Sequence, residues 1–359
     1  MSLRLTHNRS RRPIGVALAV IAACTALAAC SSSSSSSSAA AASSSAKATA
    51  TAAYPVTVTS CGVPYTYTKA PTRAVSNDIN TTEDMLALGL ESHMAGTFGA
   101  VGDGPVSQPV PAEYLAGFSK VRDVNPDNYF TLEQLVALRP DFLFAGWNYG
   151  LQTGTNLTPQ NLATYGIKTL VLTESCAHVQ STGSVSIDDT YTDIANLGKI
   201  FNVESKADAL IASMKAHIAA AQQKVAGLKP VTVFDYDSGT SAPVTGPGLA
   251  MPTAEIALGG GVNIFASLKQ SWTTVSWEQV VKADPECIVI NDYGTPTAAQ
   301  KEKFLETDPI SKNLTAVKNR CFLPLAYDEV TPGVRNAEAV TAIARWLHPQ
   351  AYGLPGDGS

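Results

Sequence analysis

The sequence predicts an α/β protein with two lobes, each built on a parallel sheet, a single long helix joining them and a ligand cleft between. Three observations carry this. Short apolar runs alternate with helical patterns at the spacing of strand–helix–strand units, which produces parallel sheets. One helix-and-strand unit occurs twice, its two glutamates, Glu133 and Glu278, lying 145 residues apart, about one domain. A long helical pattern, Asp188 to Leu228, stands between the halves. The 359 residues, 45% hydrophobic and 15% charged, supply apolar mass for one large or two ordinary domains.

The chain begins with a basic stretch ending at Arg12, an apolar run from Ile14 to Ala29 and small residues before a cysteine, the layout of an export signal. The run is shorter than the roughly 20 apolar residues a membrane span requires. Leu27-Ala28-Ala29-Cys30 matches the bacterial lipobox, which predicts a signal peptide over 1–29 and a diacylated Cys30. Eight serines, Ser31 to Ser38, open a Ser/Ala-rich stretch over 30–53 that has nothing to bury and reads as a tether. A diacyl group supplies the two anchoring signals that stable membrane attachment needs. The expected location is the outer face of the bacterial cytoplasmic membrane. Four of the 25 basic residues lie in the first dozen positions, leaving 21 against 30 acids, so a nucleic-acid footprint is excluded.

After the tether the reading is an N-terminal lobe over 54–200, an inter-lobe helix over 201–229 and a C-terminal lobe over 230–359. The first lobe's strand candidates are Arg73–Ser76, Met94–Thr97, Phe142–Ala145 and Thr169–Leu172; the second's are Val231–Phe234, Cys287–Ile290 and Cys321–Leu325. In the repeated unit, Thr131 to Asp141 and Ser276 to Glu286 each read as a Ser/Thr cap with Gln at the third helical position, a short helix stopped before proline, then a buried strand. Two further helical runs, Thr82–Gly89 and Thr253–Gly259, both end in Ala-Leu-Gly. In the long helical stretch Ile194, Leu197, Ile200 and Phe201 form one stripe, and Ala207, Leu210, Ile211, Met214, Ile218 and Ala221 the next. Asn202 to Ser205 break it, with Ser205 expected as cap. With Cys24 removed and Cys30 acylated, Cys61, Cys176, Cys287 and Cys321 remain; two fall in each half, so one disulfide is expected within each.

These marks together are similar to one family. The lipobox, the two Glu-Gln helices ending in Arg139-Pro140-Asp141 and Asp284-Pro285-Glu286, Leu197 to Val203, Gly259 to Phe265, and Ala344 to Pro349 resemble the substrate-binding lipoproteins of ABC importers for ferric siderophores, haem and cobalamin, from about Tyr54 to Gly353. The resemblance implies two Rossmann-like lobes bridged by one helix, a small closure on ligand, and an ABC permease with its ATPase subunits as partners. It also implies that Glu133 and Glu278 dock on permease arginines; on residue grounds alone each Glu favours its helix N-terminus without any partner. A monomer with no cofactor of its own is expected, the cargo carrying any iron, cobalt or haem.

Ligands of such sheets bind beyond the carboxyl ends of the strands. The candidates there are Asp78 and Asn80; Trp147, Asn148 and Tyr149; Glu174; Asp235, Tyr236 and Asp237; Trp272; Asp292 and Tyr293; Tyr327; and Arg335, the one basic residue placed at the rim. The set is acidic and aromatic, and a buried multivalent anion must be paired with cations. A neutral or cationic ferric chelate therefore fits best, with a corrinoid next and haem, through Tyr149 or Tyr293, also open. Of five histidines only His178 stands at a strand end, which disfavours a bare zinc or manganese ion. Asp237-Ser238-Gly239-Thr240 resembles an aspartic-protease loop, but it has no second copy and reads as a glycine turn, so no enzyme is expected. A hydrolase or a surface adhesin or sensor ranks below.

Overall fold

The computed structural model describes residues 54–100 and 109–355. The signal peptide, the lipidated Cys30 and the tether lie outside the described residues. Among the described residues no helix is long and apolar enough to cross a membrane.

A hairpin, β1 (Val56–Ser60) and β2 (Val63–Tyr67), precedes the first sheet. That sheet holds β3 (Ala74–Asn77), β4 (Met94–Phe98), β5 (Asp123–Asn125), β6 (Phe142–Trp147), the two-residue β7 (Gly150–Leu151) and β8 (Lys168–Val171). All its pairings are parallel, in the order β5-β4-β3-β6, with β7 and β8 both beside β6. The second sheet runs β11-β9-β13-β14, also parallel, from β9 (Val231–Tyr236), β11 (Gly261–Asn263), β13 (Cys287–Asp292) and β14 (Phe322–Ala326). A short ladder of β10 (Val244–Thr245) and β12 (Thr273–Thr274) sits apart from it. The expected strands all form, with ends displaced by one or two residues.

The central strands are buried on both faces, so they read as unbroken apolar runs. Their period of two still sorts the side chains. Phe142 and Phe144 pack with the helices Ile187–Phe201 and Glu204–Val225, while Leu143 and Ala145 join Leu135, Leu138 and Leu162 on the opposite face. In the second sheet Ile288 and Ile290 pack with Phe234, Tyr236 and Trp277, and Val289 with Val233 and Ile343.

The repeated unit folds alike in both halves. Thr131 and Ser276 each close a capping box, with Gln134 and Gln279 as partners, over the helices Leu132–Ala137 and Trp277–Ala283. Arg139 and Asp284 then take left-handed backbone just before Pro140 and Pro285. The acid that follows each proline accepts hydrogen bonds from a threonine that leads a strand. Asp141 Oδ2 takes the Thr72 N–H at 2.9 Å, and Glu286 Oε2 takes the Thr232 N–H at 2.8 Å.

Between the sheets, the helix Ile187–Phe201 ends at Asn202, whose φ of 57° turns the chain into the 22-residue helix Glu204–Val225. Its cap is Val203, not Ser205 as expected, because the Val203 N–H is already taken by the Gly198 carbonyl at 2.8 Å and the new helix starts one residue later. A Cβ at Gly198 would stand 2.6 Å from that of Ala207, so the elbow needs glycine there. The two disulfides are Cys61–Cys176 and Cys287–Cys321, one in each half as expected.

Candidate functional site in the inter-lobe cleft

The cleft site is built at the carboxyl ends of the parallel strands. After β6 the chain reverses at once: Asn148 has a φ of 64° and Gly150 of 102°, and Gly146 and Tyr149 exchange backbone hydrogen bonds of 3.1 and 3.0 Å. A Cβ at Gly150 would stand 2.7 Å from the Phe130 ring. This reversal delivers Asn148 and Tyr149 to a cavity of about 220 Å³. Across from them the second half supplies Asp237 from beyond β9, Val244 and Trp272 from the β10–β12 ladder, Tyr293 from beyond β13, and Tyr327, Val330 and Thr331 from the segment after β14; His178 completes the wall.

Two of the three tyrosine hydroxyls in this wall are already engaged. Tyr293 donates to Asp237 Oδ1 at 2.7 Å, and Ser238 donates to Oδ2 of the same carboxylate at 2.8 Å. Tyr327 donates to Asp78 Oδ2 at 2.7 Å, where Tyr129 also donates at 2.8 Å. Burial pushes the Tyr149, Tyr293 and Tyr327 phenols up, so they keep their protons. Burial lowers His178 and keeps its imidazole neutral; the Asn148 amide lies 3.2 Å from its Nδ1. Lys301 is buried behind the wall, its ammonium 2.5 Å from the Asn291 carbonyl and 4.3 Å from the centre of the Tyr293 ring.

Six of the fourteen expected ligand residues therefore line the cavity: Asn148, Tyr149, Asp237, Trp272, Tyr293 and Tyr327. Eight lie elsewhere. Trp147, two residues before Tyr149, packs into the first sheet's core and lines a separate groove with Cys61 and Val171, because the left-handed Asn148 sends the two rings different ways. Asp78 sits behind Tyr327 and also caps the helix that begins at Ile79. Asn80 is spent on the Pro332 carbonyl at 2.7 Å. Glu174 is buried beside Tyr149, and burial pushes it up to about 8. Asp235, pushed up to about 8 by burial, accepts from the Gly246 N–H at 2.7 Å. Tyr236 belongs to the aromatic core with Phe234 and Trp277. Asp292 accepts from the Ala298 N–H at the start of the next helix. Arg335 is no free rim cation, since Glu338 at 2.7 Å, Asp328 at 3.3 Å and Glu329 at 3.4 Å surround it.

Four wall residues were not expected. His178 carries a signal, its place after β8, where the sequence suggests a metal ligand; Val244, Val330 and Thr331 carry none. The Asp237–Thr240 stretch is a tight turn as expected: Gly239 has a φ of 86°, and a Cβ there would stand 2.2 Å from the Ala242 carbonyl oxygen.

A two-sheet α/β protein with an aromatic cleft cavity is a solute-binding architecture, and the comparisons agree. The sequence model of the periplasmic binding protein family matches residues 75–324, and the chain belongs to that family. The vitamin B12-binding protein of Photorhabdus laumondii is 26% identical over 222 residues, which are 62% of this chain and 71% of that protein; that of Yersinia pestis is 26% identical over 227. Among solved structures, a periplasmic binding protein from Veillonella parvula is 28% identical with a TM-score of 0.71, covering 82% of this chain and 97% of that one. A protein of an ABC-type Fe3+-hydroxamate transport system from Saccharomonospora viridis, 22% identical, shares the fold with a TM-score of 0.70, covering 84% of this chain and 99% of that one. The chain is thus a solute-binding protein of the periplasmic binding type.

Proposed function

We propose that the protein captures a neutral or cationic metal chelate, a ferric siderophore first, in the cleft and delivers it to the permease while held at the outer face of the cytoplasmic membrane by lipid on Cys30. In this reading lobes 54–200 and 230–359 flank the helix over 201–229, and the protein acts as a monomer without catalysis. The observation that carries the cargo class is the cavity wall: four aromatic side chains and the Asp237 carboxylate, with no Lys or Arg among the described residues lining it. A multivalent anion would find no counter-charge there. A corrinoid is the second reading, favoured by the relatives named as vitamin B12-binding proteins. Native mass spectrometry of protein from its own host, with an absorbance spectrum, identifies the cargo; recovery of a polyanionic chelate overturns the reading.

Delivery rests on Glu133 and Glu278, both exposed in the first turns of the matching helices. Reversing both to Lys is expected to leave cargo affinity unchanged and to reduce uptake in cells sharply, because like charges across an interface cost several kcal/mol. Normal uptake in that variant removes the docking role. For the anchor, Cys30→Ser is expected to move the protein from the membrane to the soluble fraction.

A further inference from the structure

We propose that the cleft cavity is a cage for an organic cation, so that the cargo, or the end of it that enters, carries a small alkylammonium group held by Tyr149, Trp272, Tyr293 and Tyr327 with Asp237 as counter-ion. The proposal rests on the solute-binding reading and narrows its cargo.

Four aromatic side chains line one small space. The negative face of an aromatic ring attracts a cation within about 6 Å of its centre, and several rings around one space are how quaternary ammonium groups are recognised. Tyr293 and Tyr327 stand as adjoining walls, their planes at 73° and their centres 5.5 Å apart. Their hydroxyls are turned to carboxylates, Tyr293 to Asp237 and Tyr327 to Asp78, at 2.7 Å each. Two of the four walls therefore have ring surface, and not a free phenol, left to offer. Asp237 stands at the cavity and supplies the opposite charge a desolvated cation needs.

The nearby cations do not fill the role. Arg335 is taken by three carboxylates. Lys301 is fixed to the Asn291 carbonyl, with Asp237 and Asp292 as neighbouring carboxylates. It lies against the Tyr293 ring and does not line the cavity. Size points the same way. About 220 Å³ is roughly seven water volumes, below the range of about 300–1,000 Å³ that holds a whole drug-sized ligand. A compact head group fits, and the bulk of a larger chelate would remain outside the cavity.

The test is calorimetric titration of the purified full-length protein with choline and with its uncharged isostere 3,3-dimethylbutan-1-ol. Choline is expected to bind at least tenfold more tightly than the isostere. Trp272→Ala and Asp237→Asn are each expected to weaken choline about tenfold or more with the melting temperature retained. Tyr293→Leu, which removes the ring, should cost more choline affinity than Tyr293→Phe, which removes only the hydroxyl. Equal affinity for the two probes, no choline binding, or equal losses in the two Tyr293 variants overturns the cage. Such a failure leaves the importer reading standing if host-purified protein still carries a chelate; protein that binds choline but brings no chelate from its host and supports no uptake strikes the importer reading instead.

Discussion

The interiors of the two sheets and the seam where the lobes meet are both buried, yet they are made of opposite materials. Inside the first sheet Phe142, Leu143, Phe144 and Ala145 are wholly enclosed by other apolar side chains. At the seam the helix Ile79–Ala87 faces the segment after β14 through polar groups: Asn80 to the Pro332 carbonyl, the Val334 N–H to Asp84 Oδ1 at 2.9 Å, and Tyr327 to Asp78. Behind it stands a band of buried carboxyls. Burial and the neighbouring Asp328 push Glu83 up to about 11, burial and Asp193 raise Asp84, burial raises Glu255, and burial takes Asp193 to about 7. Apolar packing holds each sheet in one shape without regard to pH. The seam depends on which carboxyls keep their protons, so its cohesion is conditional where the cores' is not.

Phe144→Ala should break the contrast from the core side. It removes a fully buried ring and is expected to cost about 3–5 kcal/mol in urea unfolding, equally at pH 5 and pH 8. A strongly pH-dependent loss would show that core and seam do not separate. Glu174→Gln probes a further buried carboxyl, one raised by burial and by Asp189 and Asp193. Its carboxyl holds a proton up to about 8 when folded, whereas an exposed glutamic acid releases it near 4.5, so between those values the folded state loses stability as pH rises. The amide keeps the shape without the titration. The variant should therefore gain on the parent as pH goes from 5 to 8, on the order of 1–3 kcal/mol by pH 8, and a constant difference across that range would refute the buried carboxyl's role. The smallest effect belongs to Tyr327→Phe, which deletes one hydrogen bond to Asp78 while Tyr129 and the Ile79 N–H still serve that carboxyl. About 1 kcal/mol is expected in thermal unfolding.

This contrast also explains what the sequence disclosed. Core strands were legible because a doubly buried strand is a continuous apolar word, and the capping boxes because Thr131 and Ser276 need only a neighbour three residues on. The hairpin β1–β2 was not, since it carries Pro64 and turns at Cys61 and Gly62, both in left-handed backbone. At the site, position after a strand found Tyr149, Asp237 and Tyr293, but it could not say which way adjacent residues point. Trp147 and Tyr149 differ only by the rotation at Asn148. Asp292 and Arg335 have the right chemistry and spend it locally, on a helix end and on three acids, pairings that depend on folded distances and leave no mark in residue order.

The Cys61–Cys176 bond sets where a pull on the chain's beginning is borne. A force entering at Tyr54, whose hydroxyl is hydrogen-bonded to the Ile200 carbonyl at 2.6 Å, crosses only seven residues before it reaches a covalent link. From there the load passes to Cys176, just after β8, bypassing the 115-residue span between the two cysteines. Strands β3 to β8 lie inside that span and are shielded from being peeled off in order. A tug at the N-terminus is therefore borne first by one sulfur bridge and by the chain beyond Cys176.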